Sequence, residues 1–180
     1  MKIIMKTFTW CWLSVLAIGS LCLAAPGAAD GSQSPSGKEA LEIMKGLAGE
    51  WQGGASEPGK GPGVTVVYRV TSAGTAVLET LFPGSDHEMV TVYYLDGGRL
   101  VLTHYCAMGN QPRMVLQKNS TPQDLVFEFV GGSNVNPRKD THMHAARIRL
   151  ESADTIAAEW TGYNGGKPAE VSKFQLTRKK

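Results

Sequence analysis

The 180-residue chain has almost no net charge: 18 Lys and Arg stand against 16 Asp and Glu. A balance this even gives no electrostatic footprint for nucleic acid, so that class of partner is excluded. Cysteine is nearly as scarce, with Cys11, Cys22 and Cys106 alone. The glycines sit in turns without the strand, G-x-G-x-x-G and helix context of a phosphate-binding loop, and no C-x-x-C-H occurs to attach a c-type haem. Hydrophobic content of 42% with only 8% aromatic residues fits one ordinary globular domain, not a coiled coil, collagen or a disordered chain.

One long apolar run is present. Met1 to Lys6 brings two lysines and no acid, Phe8 to Ala24 is almost uninterrupted by polar residues, and small residues follow from Ala24 to Ala29. This order reads as a secretory signal peptide over residues 1–29. A retained anchor helix competes, because the run is about the minimum length to span a bilayer, but it ends in Pro26 and Gly27 with no basic stop-transfer cluster. Lipidation at Cys22 is disfavoured, since Leu21 stands where a lipobox needs a small residue. The mature protein is then secreted or periplasmic, with no further membrane span. Removing Lys2 and Lys6 brings the basic residues to the same 16 as the acidic ones, and Cys106 becomes the only thiol. No internal disulfide is possible, so the core must hold the fold.

Residues 30–36 read as a flexible polar leader. Ser36-x-x-Glu39 has capping-box spacing, and Ala40, Leu41, Ile43, Met44 and Leu47 recur at helical intervals, which predicts a short helix over 37–46. From Glu50 onward the pattern changes to β-branched and aromatic runs broken about every 8 to 12 residues by Gly, Pro, Asn and Asp. Ten strands are predicted: 50–56, 64–72, 75–82, 87–95, 99–106, 112–118, 124–130, 140–151, 155–162 and 170–177. Short turns such as Asp96-Gly97-Gly98 and Asn164-Gly165-Gly166 leave no room for crossovers. The predicted fold class is therefore all-β: a roughly ten-stranded antiparallel up-and-down barrel over 37–180, whose closure removes exposed edges. Strand parity assigns Val64, Val66, Tyr68, Val70, Leu125, Phe127, Phe129, Ile156, Ala158, Trp160, Phe174 and Leu176 to the interior.

Gly49-x-Trp51-x-Gly53 opens the first strand directly after the helix. That arrangement resembles the calycin barrels (lipocalins, fatty-acid-binding proteins and nitrobindin-like proteins), and most of all the nitrobindin side and secreted bacterial calycin-like domains. The resemblance covers about residues 38–178. It implies that Trp51 closes one end of the barrel with a basic residue of the last strand packed over it, and Arg178, in phase with Phe174 and Leu176, takes that place. It also implies binding of a small apolar or amphipathic ligand in the interior. A tryptophan of this kind also suits the core of another β-fold.

Chemistry-bearing residues concentrate in two places. Parity carries the inward face of Leu100 and Leu102 to His104 and Cys106, and places His142 and His144 in phase with Ile148 and Leu150, with Met143, Arg147 and Arg149 facing solvent. Tyr68, His104, Cys106, His142 and His144 are the candidate ligand-binding residues. Imidazole and thiolate at i, i+2 on strands also suit Zn, Cu or haem iron, so His104, Cys106, His142 and His144 are the candidate metal ligands. Against that stands a set of hydrogen-bonded interior histidines with no cofactor. Haem by the nitrobindin resemblance meets an objection, because that family takes its axial histidine near the end of the barrel and here none follows His144. Cysteine catalysis is a poor fit, since parallel side chains on one strand provide no oxyanion donors. The reading is a non-enzyme that binds a small molecule. The alternatives are a metal or haem protein and a structural or interaction domain with a filled core.

Overall fold

The computed structural model describes residues 33–55 and 63–180. The signal-peptide reading of residues 1–29 and the start of the leader lie outside the described residues. The described residues belong to one compact unit.

Among the described residues one α-helix, α1 (Gly37–Gly46), precedes ten strands: β1 (Gly49–Ala55), β2 (Val64–Thr71), β3 (Ala76–Leu81), β4 (Met89–Asp96), β5 (Arg99–Tyr105), β6 (Gln111–Leu116), β7 (Asp124–Ser133), β8 (His142–Ser152), β9 (Thr155–Asn164) and β10 (Lys167–Arg178). Each strand pairs antiparallel with the next, and β1 also pairs with β10, so the sheet closes into a barrel. The capping box forms as its spacing predicts, with the Ser36 amide donating to Glu39 at 2.8 Å and the Glu39 amide donating to the Ser36 hydroxyl at 3.3 Å. Asp96 pairs with Arg99 across the two-residue turn Gly97-Gly98. Both glycines have positive φ, 57° and 79°, which is the backbone a primed hairpin turn demands.

Closure depends on Gly53. A Cβ at that position would lie 1.8 Å from the Gln175 carbonyl oxygen of β10. Only a residue without a side chain lets the first and last strands approach closely enough to complete the ladder.

The bore is filled by its own side chains. Met44, Trp51, Tyr68, Tyr93, Leu100, Leu102, Met114, Leu125, Phe127, Ile148, Ile156 and Leu176 are all fully buried, and they belong to one continuous core that also takes in Ala40 and Leu41 from α1. The helix thereby plugs the end where β1 begins and β10 finishes. Trp51 donates its indole N–H to the Leu47 carbonyl at 2.8 Å. The Arg178 guanidinium carbon lies 4.3 Å from the indole centroid, while its two terminal nitrogens donate to the Ala48 and Gly46 carbonyls at 2.7 and 2.9 Å.

Three parity assignments change. Val70 is 38% exposed, because the β1 partnership of β2 ends at Tyr68, opposite Gly49, and Val70 extends beyond it. On β8 a register shift between Met143 and Ala145 leaves His144 as the extra residue of a bulge. A bulge inverts the alternation on one side of it, so Met143 packs against the core instead of facing solvent with Arg147 and Arg149, and His142, expected in phase with Ile148, pairs with Tyr163 on the opposite face, buried among the Phe129, His144 and Tyr163 rings. Among the described residues no helix is long and apolar enough to cross a membrane.

Candidate functional site

The end of the barrel away from α1 is bounded by the β3–β4, β5–β6, β7–β8 and β9–β10 connections. His104, Cys106, His142 and His144 all lie at this open end, whereas Tyr68 lies nearer the plug. The stagger of a barrel nonetheless links them. Tyr68 pairs with Glu79 on β3, Glu79 with Thr91 on β4, and Thr91 with His104 on β5. Directly opposed residues point to the same face of a sheet, so the four side chains form one inward polar row across four strands.

Hydrogen bonds join the row. Tyr68 donates to Glu79 Oε1 at 2.7 Å and Tyr93 donates to Oε2 at 2.8 Å, with the Thr91 hydroxyl next along the row. Thr91 Oγ1 also stands 3.0 Å from His104 Nδ1. Burial pushes the Glu79 carboxyl above its usual range, and the three hydroxyls oppose that shift. The two tyrosines are raised well above their ordinary values, first by burial and then by the Glu79 charge. Burying a carboxylate with no cation beside it costs several kcal/mol, and hydrogen bonds to a charged group contribute about 1.5–3 kcal/mol each. The tyrosine bonds offset it only in part, since the carboxyl stays above its usual range.

Thr91 Oγ1 and His104 Nδ1 share one hydrogen bond, in which the ring's tautomer decides the donor. The imidazole is neutral, since burial pushes its pKa down to about 4, so one ring nitrogen carries the proton and the other a lone pair. Nε2 is buried with no partner among the described residues. The ring lies against Trp160 of β9, centroids 4.8 Å apart, across the bore.

Asn110, in the β5–β6 turn, is 4% exposed. Its side-chain amide donates to the Thr141 carbonyl at 2.8 Å, which orients the group and leaves Oδ1 buried and unpartnered. Cys106 is buried in the same turn, with its sulfur 4.0 Å from that of Met89 and no hydrogen bond to His104. The side-by-side imidazole and thiol suggested by parity therefore do not meet.

His142 and His144 do meet. His142 Nδ1 is 3.0 Å from the Asp140 carbonyl and must donate to it; His142 Nε2 then accepts from His144 Nδ1, also at 3.0 Å. The His144 ring stacks between Tyr163 at 3.7 Å and Phe129 at 5.0 Å. Burial, and then the charge of His142, pushes its pKa down. Among the described residues no three His, Cys, Asp or Glu side chains converge to hold a metal ion, so the four candidate ligands separate into two histidine groupings and a thiol.

Sequence reasoning missed Glu79, Thr91, Tyr93 and the role of Asn110. A signal for Glu79 was present: it lies between Val77 and Leu81, in phase with both, so one inward-facing strand carries a carboxylate. Three surface grooves, of about 670, 710 and 450 Å³, lie beside α1 or near Phe82 and His87, and none is lined by the polar row.

No family model matches the chain, and no curated protein matches it. Among solved structures it is similar to a protein of unknown function from the DUF3598 family of Nostoc punctiforme, with 15% sequence identity and a TM-score of 0.52. The alignment covers 76% of this chain and 48% of that one, so the chain spans about half the length of that neighbour. At such identity the likeness is one of fold: a closed antiparallel barrel.

Proposed function

We propose that this barrel is an exported, calycin-like binding protein that takes a small apolar or amphipathic molecule at its open end. The observation that carries the reading is the pair of buried unpartnered atoms there, His104 Nε2 and Asn110 Oδ1. Leaving a buried polar atom unpaired costs about 1–3 kcal/mol, and folds keep such groups where a ligand or water completes them. Among the described residues the exposed Tyr105 and Met108 lie at the end of β5 and in the β5–β6 turn, at this same end. A filled bore argues against a lipid tail running the length of the barrel, and so sets the ligand at the mouth. The N-terminal segment supports export, and Gly49-x-Trp51-x-Gly53 with Arg178 over Trp51 supports calycin kinship.

Native mass spectrometry of the protein recovered from its own compartment tests this. Bound mass of a few hundred daltons, released on denaturation, is the expected result. The packed core favours a second reading, a domain that uses the open end against a macromolecule. Protein that is always bare, and that perturbs no open-end resonance with any small probe, supports that second reading.

A further inference from the structure

The start of β8 brings two imidazoles together in a way a regular strand does not. Residues two apart on a strand stand about 6.8 Å from each other with parallel side chains. The bulge between Met143 and Ala145 re-aims His144, and His142 Nε2 and His144 Nδ1 face each other at 3.0 Å. Two nitrogens held by one ion at about 2.0–2.1 Å lie about 2.9–3.4 Å apart, for bond angles between a right angle and the tetrahedral one. The observed separation is already that of a chelating pair. His142 also carries the outer hydrogen bond that is usual for a metal-ligating histidine. Its Nδ1 meets the Asp140 carbonyl, which only accepts, so Nδ1 holds the proton and Nε2 the lone pair. The His144 ring is held face to face between Tyr163 and Phe129, at interplanar angles of 15° and 23°. That stack permits the ring to pivot in its own plane, and the half-buried side chain keeps contact with solvent.

We infer that His142 and His144 form a two-histidine site for a late first-row divalent ion, Cu(II) ahead of Zn(II), whose other positions are open to water or an outside donor. Neutral imidazole nitrogen suits both ions, and the general order of stability puts copper first. No third protein ligand converges among the described residues, so the site is open by construction. Moving the His144 proton from Nδ1 to Nε2 frees the second donor atom with no net change of charge. His104 and Cys106 take no part, because the one lies against Trp160 and the other against Met89. The inference stands apart from the small-molecule reading of the open end.

The test uses the full chain, stripped with chelator and titrated with cupric and zinc chloride. Calorimetry should show one equivalent of either ion, with copper the tighter. Zinc should move the ring-nitrogen resonances of His142 and His144 in NMR and leave those of His87 and His104 in place, and the copper spin-resonance spectrum should show two nitrogen couplings. His144→Phe keeps a ring in the stack and should weaken both ions about tenfold or more, with near-UV circular dichroism reporting whether the barrel still packs. His87→Gln, at an exposed histidine, should change nothing. Undiminished binding in a folded His144→Phe overturns the inference. Zinc that shifts His87 or His104 in place of the pair also overturns it, as does failure of both ions to bind the native chain.

Discussion

Lowering the pH from 7 to 4 should destabilise the barrel through His104, and the amount follows from its surroundings. The ring is 1% exposed, it lies tilted against Trp160, and burial alone pushes its pKa from 6.5 to about 4. A folded state that holds this imidazole neutral binds fewer protons than the unfolded chain between those values. Stability contributed by keeping His104 neutral is therefore full above pH 6.5 and is lost as the pH falls toward 4. Integrated over that window, the loss approaches about 3 kcal/mol. Glu79 acts in the opposite sense, because its raised pKa makes the folded state the better proton acceptor as the pH falls. Asp124, held low by the Arg147 guanidinium, loses stability only at the acid end. Both groups remain in His104→Phe, so comparing the variant with the native chain isolates the imidazole. Urea unfolding followed by near-UV circular dichroism at pH 7, 5.5 and 4 should show the native chain losing about 2–3 kcal/mol more than His104→Phe. Parallel pH profiles for the two proteins would refute the buried neutral imidazole.

Other perturbations test other parts of the same construction. Arg178→Met removes the cation over Trp51 and its bonds to the Ala48 and Gly46 carbonyls; urea unfolding should show a loss of about 1–3 kcal/mol. Lysine at that position should restore little, since a point charge cannot serve two carbonyls as a planar fork does. Gly53→Ala places a methyl where Gln175 O stands at 1.8 Å, so the β1–β10 seam must open; amide exchange should accelerate in those strands before any other. Tyr68→Phe takes one donor from Glu79, and infrared spectroscopy should show its carboxyl protonating at a higher pH than in the native chain.

How much of this was legible in the sequence depends on the range of the interaction. Helix α1 and the ten strands follow from local signals, because capping boxes, alternation and Gly-Gly turns act over two to four residues. Closure was legible indirectly, through the cost of leaving strand edges bare and through Gly53, whose role needs Gln175 from the far end of the chain. The row Tyr68–Glu79–Thr91–His104 was half legible. Parity placed Tyr68 and His104 inside, yet their connection runs through register, and register between strands is set by turns and bulges that one strand does not report. The bulge at His144 is the sharpest case. Nothing in Met143-His144-Ala145 marks an inserted residue, and a single insertion reverses the face of everything beyond it.

The two ends of the barrel divide the work that the fold has to do. At the plugged end the polar groups are met: the Trp51 indole by Leu47, the carbonyls behind α1 by Arg178, and the first helical turn by Ser36 and Glu39. With no disulfide within the barrel, stability has to come from this end and from the packed bore between. The open end departs from that rule. It leaves two buried polar atoms unpaired, a bulged strand, a histidine stacked between two aromatic rings and exposed apolar residues toward the same end. Local rules break where a surface is shaped for something outside the chain. Here the breaks gather around the aromatic faces of Trp160, Phe129 and Tyr163, and that gathering, more than the barrel itself, marks where a partner would bind.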